Sequence, residues 1–184
     1  MSSLYFPGPS LPPASPVIGP MSAEALFAQA FVFANWGAPA SAAWPSANRA
    51  VGYPFILPEP RTLLQMYVQN GATASGNLDM GVYRPDGTKL VSMGATAQSG
   101  TSAIQLLDVT DTVLPAHTLL YVWLAVDNTT ATVVRWTAGA NIGQIRATGI
   151  VQMASAYPLP STITPAAVST SHLPDFGMVF ASVV

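Results

Sequence analysis

The stretch that decides the fold runs from Arg61 to Arg135. It begins "RTLLQMYVQNGATASG" (61–76) and "NLDMGVYRPDGTKLVSMG" (77–94). It continues "ATAQSGTSAIQLLDVTD" (95–111) and "HTLLYVWLAVDNTTATVVRW" (117–136). At its centre Arg84-Pro85-Asp86-Gly87 lies between two apolar runs. Pro85 presets φ for a turn, and Gly87 supplies the positive φ that a bulged hairpin needs. Asp127-Asn128-Thr129-Thr130 sits in the same way between "LLYVWLAV" and "ATVVRW" and predicts a second hairpin. Leu78, Met80 and Val82 fall on one face of a strand, with Asp79, Gly81 and Tyr83 on the other. In "TLLQMYVQN" Leu63, Gln65, Tyr67 and Gln69 alternate with Leu64, Met66 and Val68. A period of two marks half-buried antiparallel strands. Strands are expected near 62–69, 78–84, 88–93, 103–109, 118–126 and 131–136.

Working outward, "RAVGYPFILPEP" (49–60) reads as a short strand closed by Pro58 and Pro60. Pro54 inside it argues for an edge position or a break, because proline lacks the N–H a ladder uses. "FAQAFVFANW" predicts a strand from about Phe27, with Phe27, Gln29, Phe31 and Phe33 on one face. Residues 36–48 read as a loop from their Gly and Pro content. Residues 137–150 begin as loop and lead into an expected strand near Ile145–Met153. Residues 157–174 form a long Pro- and Thr-rich passage, and a loop of that length usually has a job or a partner. "FGMVFASVV" predicts a final strand. About ten short strands in one domain, residues 21–184, suit an antiparallel β-sandwich of jelly-roll type.

Residues 1–20 stand apart. Pro7, Pro9, Pro12, Pro13, Pro16 and Pro20 forbid a helix and favour extended geometry. Tyr5, Phe6, Leu11, Val17 and Ile18 are apolar, and the segment carries no charged side chain. Disordered tails are usually charged. An apolar, extended arm is expected to lie on a neighbouring subunit, with these five residues as contacts. The start of the chain has neither the basic nor the apolar region of a signal peptide.

Composition narrows the function. Charged residues make up 8% of the chain, against about 25% in ordinary globular proteins. Half of the residues are hydrophobic and the mean hydropathy is +0.39. A surface so poor in charge is expected to be covered by other protein. No window reaches the ~20 apolar residues of a spanning helix, and the alternation is too short for a membrane barrel. Six Lys/Arg and a net charge of −2 offer no footprint for nucleic acid. With no Cys there is neither a disulfide framework nor a thiolate metal site.

The chemistry-bearing residues form no recognisable catalytic set. His117 and His172 both sit beside turns, with no nucleophile elbow and no His-x-x-x-His pair. Asp108 and Asp111 are near each other, but calcium asks for more oxygen ligands than "LLDVTDTVLP" offers. No catalytic residue, cofactor or metal is therefore expected. Of the four Trp, Trp123 and Trp136 lie in strand runs and read as core. Trp36 and Trp44 flank a loop near Asn48, Arg49 and Tyr53. They could cap one end of the sandwich, join a subunit interface, or stack with Asn48, Arg49 and Tyr53 around a glycan.

The segment "GNLDMGVYRPDGTKLVSMGATAQSGTSAIQLLDVTDTVLPAHTLLYVWLAVDNTT" resembles a β-sandwich module of small structural proteins in tailed bacteriophages. The shared outline is an Asn-x-Asp-x-Gly-x-Tyr strand, an Asp-Gly turn, a Ser/Thr/Gly/Ala link, a strand ending in Asp, and a long apolar strand ending in Asp-Asn-Thr. "ANRAVGYPFILPEPRTLLQMYVQNGA" fits the same outline, so the resemblance covers roughly residues 47–135. It implies a non-enzymatic virion component: a capsid decoration (cement) or head-spike protein. Implied partners are copies of itself, a trimer among the options, and other virion proteins such as the major capsid protein. It implies location in the virion, after assembly in the host cytoplasm. The alternatives are a tail-fibre or baseplate subunit that recognises host glycans, and a carbohydrate-binding module.

Overall fold

The computed structural model describes residues 21–22, 39–137, 142–169 and 171–182. The strands, in chain order, are β1 (Met21–Ser22), β2 (Ala40–Ala43), β3 (Arg49–Ile56), β4 (Arg61–Gln69), β5 (Asn77–Tyr83), β6 (Lys89–Ser92), β7 (Thr96–Ala97), β8 (Ile104–Leu114), β9 (Leu119–Val126) and β10 (Thr132–Thr137). A short helix, α1 (Ile142–Ala147), precedes β11 (Val151–Met153), β12 (Ala166–Ala167), β13 (His172–Pro174) and β14 (Phe176–Phe180). All the pairings between strands are antiparallel.

The large sheet has the order β12-β11-β3-β9-β5-β6, with β7 also on β5. Its inner face carries Val51, Tyr53 and Phe55 of β3, Leu120, Val122, Leu124 and Val126 of β9, and Leu78, Met80 and Val82 of β5, all buried. Facing it is the sheet β1-β14-β4-β8, which contributes Leu63, Met66, Val68, Leu107, Val109, Leu114, Phe176 and Met178. The fold is thus an all-β sandwich, and this shared cluster is its main core. Each such side chain contributes roughly 1.5–3 kcal/mol relative to exposure. A third sheet, β13-β10-β2, adds Val133 and Leu173 to that cluster.

The Arg84–Gly87 hairpin forms as its sequence predicts. Gly87 has φ +85° and its N–H donates to Arg84 O at 3.0 Å, while β5 and β6 pair on either side. The Asp127–Thr130 turn differs from expectation: it closes no hairpin. β9 pairs with β3 and β5, whereas β10 pairs with β2 and β13. The turn carries the chain from one sheet to another, and Asn128 Oδ1 organises it by accepting from the N–H groups of Thr130 and Ala131.

Three further local expectations change. Pro54 is in neither an edge strand nor a break, since β3 has neighbours on both sides. The β11 ladder covers only Ala50–Gly52, so β11 asks position 54 for no N–H. The strand expected from Ile145 starts only at Val151. Ile142 and Ile145, three residues apart, both turn to the core from a helix that Gly149 (φ +77°) follows. The loop expected at 36–48 contains β2, held by β10. The strand expected from Phe27 lies outside the described residues.

The passage at 157–174 is the largest surprise. Together with Ser155 and Ala156, its first half lies across the outer face of the large sheet as a strap. Ala156, Leu159 and Ile163 bury themselves against Ala50, Tyr83, Trp123 and Ala125, making a second core. The central part of the large sheet, around Ala50, Tyr83, Trp123 and Ala125, is therefore buried on both faces. The strap is tied down by backbone bonds from Ala156 N to Asn48 O, Lys89 N to Ser161 O and Ile163 N to Gly87 O. Tyr83 Oη donates to Pro160 O at 2.6 Å and Lys89 Nζ to Leu159 O at 2.9 Å. Trp123 can lie flat on this face because its row is Gly52–Trp123–Gly81. A Cβ at Gly52 would stand 2.5 Å from the indole.

Candidate interaction surface

The residues singled out for contact or glycan binding do not assemble into an open site. Tyr5, Phe6, Leu11, Val17, Ile18 and Trp36 lie outside the described residues. Trp44 is buried in the main core, its indole N–H donating to Arg49 O at 3.0 Å and its ring edge-on to His172. Tyr53 is buried too, stacked on Phe176 with 4.6 Å between ring centres, and its Oη donates to Pro174 O at 2.8 Å. Burial raises its pKa well above the usual phenol value, with the Asp175 carboxylate and Tyr67 adding to the effect. Neither ring presents a face to a sugar or a partner, which corrects the expectation for both. Of the five residues proposed around a glycan, Asn48 alone is exposed among the described ones, in a left-handed turn (φ +58°). Arg49 is half-buried.

The two histidines sit far apart in character. His117 is exposed in a turn at φ +50°. His172, expected in a loop, is instead a buried β13 residue. Burial, followed by the guanidinium groups of Arg135 and Arg49, pushes its pKa down to about 3. Its imidazole is therefore neutral at physiological pH.

Among the carboxylates Asp79 is the one the sequence pattern placed outward and the structure buries. The strap covers it, and its Oδ2 accepts from Leu159 N at 3.0 Å. Burial raises its pKa; the Leu159 N–H and the Lys89 charge pull the other way without cancelling the rise. Asp108 and Asp111 are both exposed on β8, where the chain bulges against Leu64. Among the described residues no group of three or more His, Cys, Asp or Glu is placed to hold a metal ion. No helix among them is long and apolar enough to cross a membrane.

What the surface does offer is apolar. Ile104, Leu106 and Val113 of β8 are 62%, 59% and 67% exposed. Ile56 and Leu119, partners at one end of the β3–β9 ladder, are exposed as well. β8 ends its sheet, and no other described strand pairs with its outer edge. The edge is also held firmly. Gln105 Oε1 accepts from Asn70 Nδ2 and Ser99 N, and its Nε2 donates to Ala97 O. Asn70 in turn is bound by Gln98 Nε2 at 2.9 Å. This buried amide cluster gives order to the Ser/Thr/Gly/Ala link before β8. The sequence reading missed it, and the one available signal was three amide side chains near an uncharged link.

No family model matches the chain, and no curated protein or solved structure matches it either.

Proposed function

We propose that the protein is a non-enzymatic structural subunit of a phage virion, a capsid decoration or head-spike protein that works by binding its neighbours. The observation that carries the reading is an open apolar edge on a chain with very little charge. β8 exposes Ile104, Leu106 and Val113 along an edge with which no other described strand pairs, and only 8% of residues are charged. Monomeric proteins normally blunt such edges with lysine, proline or a covering element. An edge uncovered by any described strand suits a protein whose working state is an assembly. The resemblance of residues 47–135 to tailed-phage sandwich modules supplies the virion setting. Burial of Trp44 and Tyr53 removes two of the rings on which a glycan-binding tail subunit would depend.

The test is the mass of the purified chain by light scattering at rising concentration. A species well above the 19.1 kDa of one chain is expected. A monodisperse single-chain species at high concentration contradicts the reading. Absence of enzymatic action is tested separately. Turnover of a glycan or peptide by the wild type, lost in His117→Ala, would reverse that part.

A further inference from the structure

We propose that residues 157–160 form a gate over the outer face of the large sheet, held shut while the Asp79 carboxyl carries its proton and loosened when it ionises. The inference is independent of the assembly reading above.

The bonds along the strap change character in its middle. At one end Ala156 N donates to Asn48 O. At the other, Lys89 N donates to Ser161 O and Ile163 N to Gly87 O. Between them, residues 157–160 are gripped by side chains of the sheet. Leu159 N donates to Asp79 Oδ2 at 3.0 Å, Lys89 Nζ donates to Leu159 O at 2.9 Å, and Tyr83 Oη donates to Pro160 O at 2.6 Å. One peptide unit, Leu159, is thus held on both its N–H and its C=O by ionisable groups. The base of the excursion is closed separately. β11 and β12 pair with each other, and Gln152 and Ser169 bond side chain to side chain beside them. The middle lifts without unzipping a strand ladder, which is the pattern of a local opening rather than global unfolding.

Asp79 is the group that decides whether the gate stays shut. It is 1% exposed, and its Oδ1 has no hydrogen-bond partner. Asp79 pairs with Ala125 and Gly81 with Trp123 across β5 and β9, so the carboxyl is a diagonal neighbour of the indole, whose Nε1 is also without a partner. A neutral carboxyl tolerates that place far better than a carboxylate, whose charge is left in an apolar layer. Burial accordingly raises the Asp79 pKa. The Leu159 N–H, the Lys89 charge and, more weakly, the backbone of Gly94 and Met80 oppose the rise. The other titratable groups facing it are Tyr83 on its own strand and Tyr157 on the strap, both raised first by burial, with Asp127 acting on Tyr157 as well. β9 brings only Trp123 and Ala125 to this face. Lifting 157–160 gives the carboxylate water, so ionisation favours the open form. Closure is therefore strongest below the ordinary carboxylate range and weakens as pH rises through the closed-state value. The open form uncovers Trp123 and Tyr83, both fully buried when the strap is down.

The test is hydrogen–deuterium exchange on the full-length protein from about pH 3 to about pH 8, corrected for the intrinsic exchange rate. It is read by mass spectrometry on peptides covering the strap (155–163) and β9. The strap should exchange ahead of β9, and its protection should fall by up to about tenfold per pH unit before levelling off. In Asp79→Asn, which keeps an acceptor for Leu159 N, the fall should vanish. In Lys89→Met the levelling should move to higher pH, because the Lys89 charge favours the ionised carboxyl. Equal protection of strap and β9 at every pH overturns a local gate. A wild-type strap whose protection does not fall with pH overturns the switch. A fall that survives in Asp79→Asn, or a Lys89→Met profile that stays in place or moves to lower pH, overturns Asp79 as the titrating group.

Discussion

Along β9 the two faces of one strand do different work. Leu120, Val122, Leu124 and Val126 point into the space between the sheets and meet aliphatic residues of the same kind. Trp123 and Ala125 point the other way, and a strap from 155–163 covers them. The inner face needs no instruction beyond period-two patterning. The outer face needs several matched parts: glycines beside Trp123, a buried carboxylate to hold Leu159 N, and prolines that keep the strap extended. Burial on both sides is why "LLYVWLAV" is continuously apolar, as in strands covered on each face.

Trp123→Ala removes the largest side chain from under the strap. If the strap side is a true core, the loss should be about 3–5 kcal/mol, like a large truncation between the sheets. Leu124→Ala, its inner-face neighbour, should cost about 2–5 kcal/mol. Both are read from chemical denaturation midpoints. A cost below 1 kcal/mol for Trp123→Ala alone would mean that the strap merely rests on the sheet.

Acid separates the strap side from the main core by sign. His172, packed on Trp44, has a folded pKa depressed to about 3. Its contribution is present above its ordinary value of ~6.5 and is lost as pH falls toward 3. By pH 5 that loss is about 2 kcal/mol. His172→Gln should flatten that part of the profile. Asp79 under the strap has a raised folded pKa, so the folded state holds its proton more tightly. Its contribution is greatest below the ordinary carboxylate range and is lost as pH rises through the folded value. Asp79→Asn should therefore gain on the wild type as pH increases across that window. If both substitutions change the slope in the same direction, one of the two environments is misassigned.

A smaller effect probes the seam between hairpin and strap. Gly87→Val should destabilise by roughly 1 kcal/mol or more, since a β-branched residue resists positive φ. Its Cβ would also run into the Ile163 carbonyl. An unchanged melting temperature would show that the turn and the strap are not joined there.

The same contrast explains what was legible in the sequence. Strand existence from 61 to 136 followed from alternation and from Pro85-Asp86-Gly87, because those signals are local. The role of 127–130 was not legible, since a turn's residues do not say which sheet the next strand joins. Nor was the strap: prolines and threonines look alike in a loose loop and in one pinned by Tyr83, Lys89 and Asp79 from some 70 to 80 residues away. α1 was too short for its Ile142–Ile145 spacing to stand out from a strand. Among site residues, the sequence leaves Trp44 and Tyr53 between a cap on the sandwich, an interface and a glycan site, because aromatics beside Asn and Arg suit all three. Their partners Phe176, Pro174 and His172 lie more than a hundred residues on.

We propose that residues 1–20 are needed for assembly and not for folding of the sandwich. Deleting residues 2–19, and recording thermal melting and sedimentation on one preparation, tests it most directly. The truncated chain should keep a melting curve close to that of the full chain and lose assembly completely. A truncated chain that still assembles, or one that no longer folds, would contradict it.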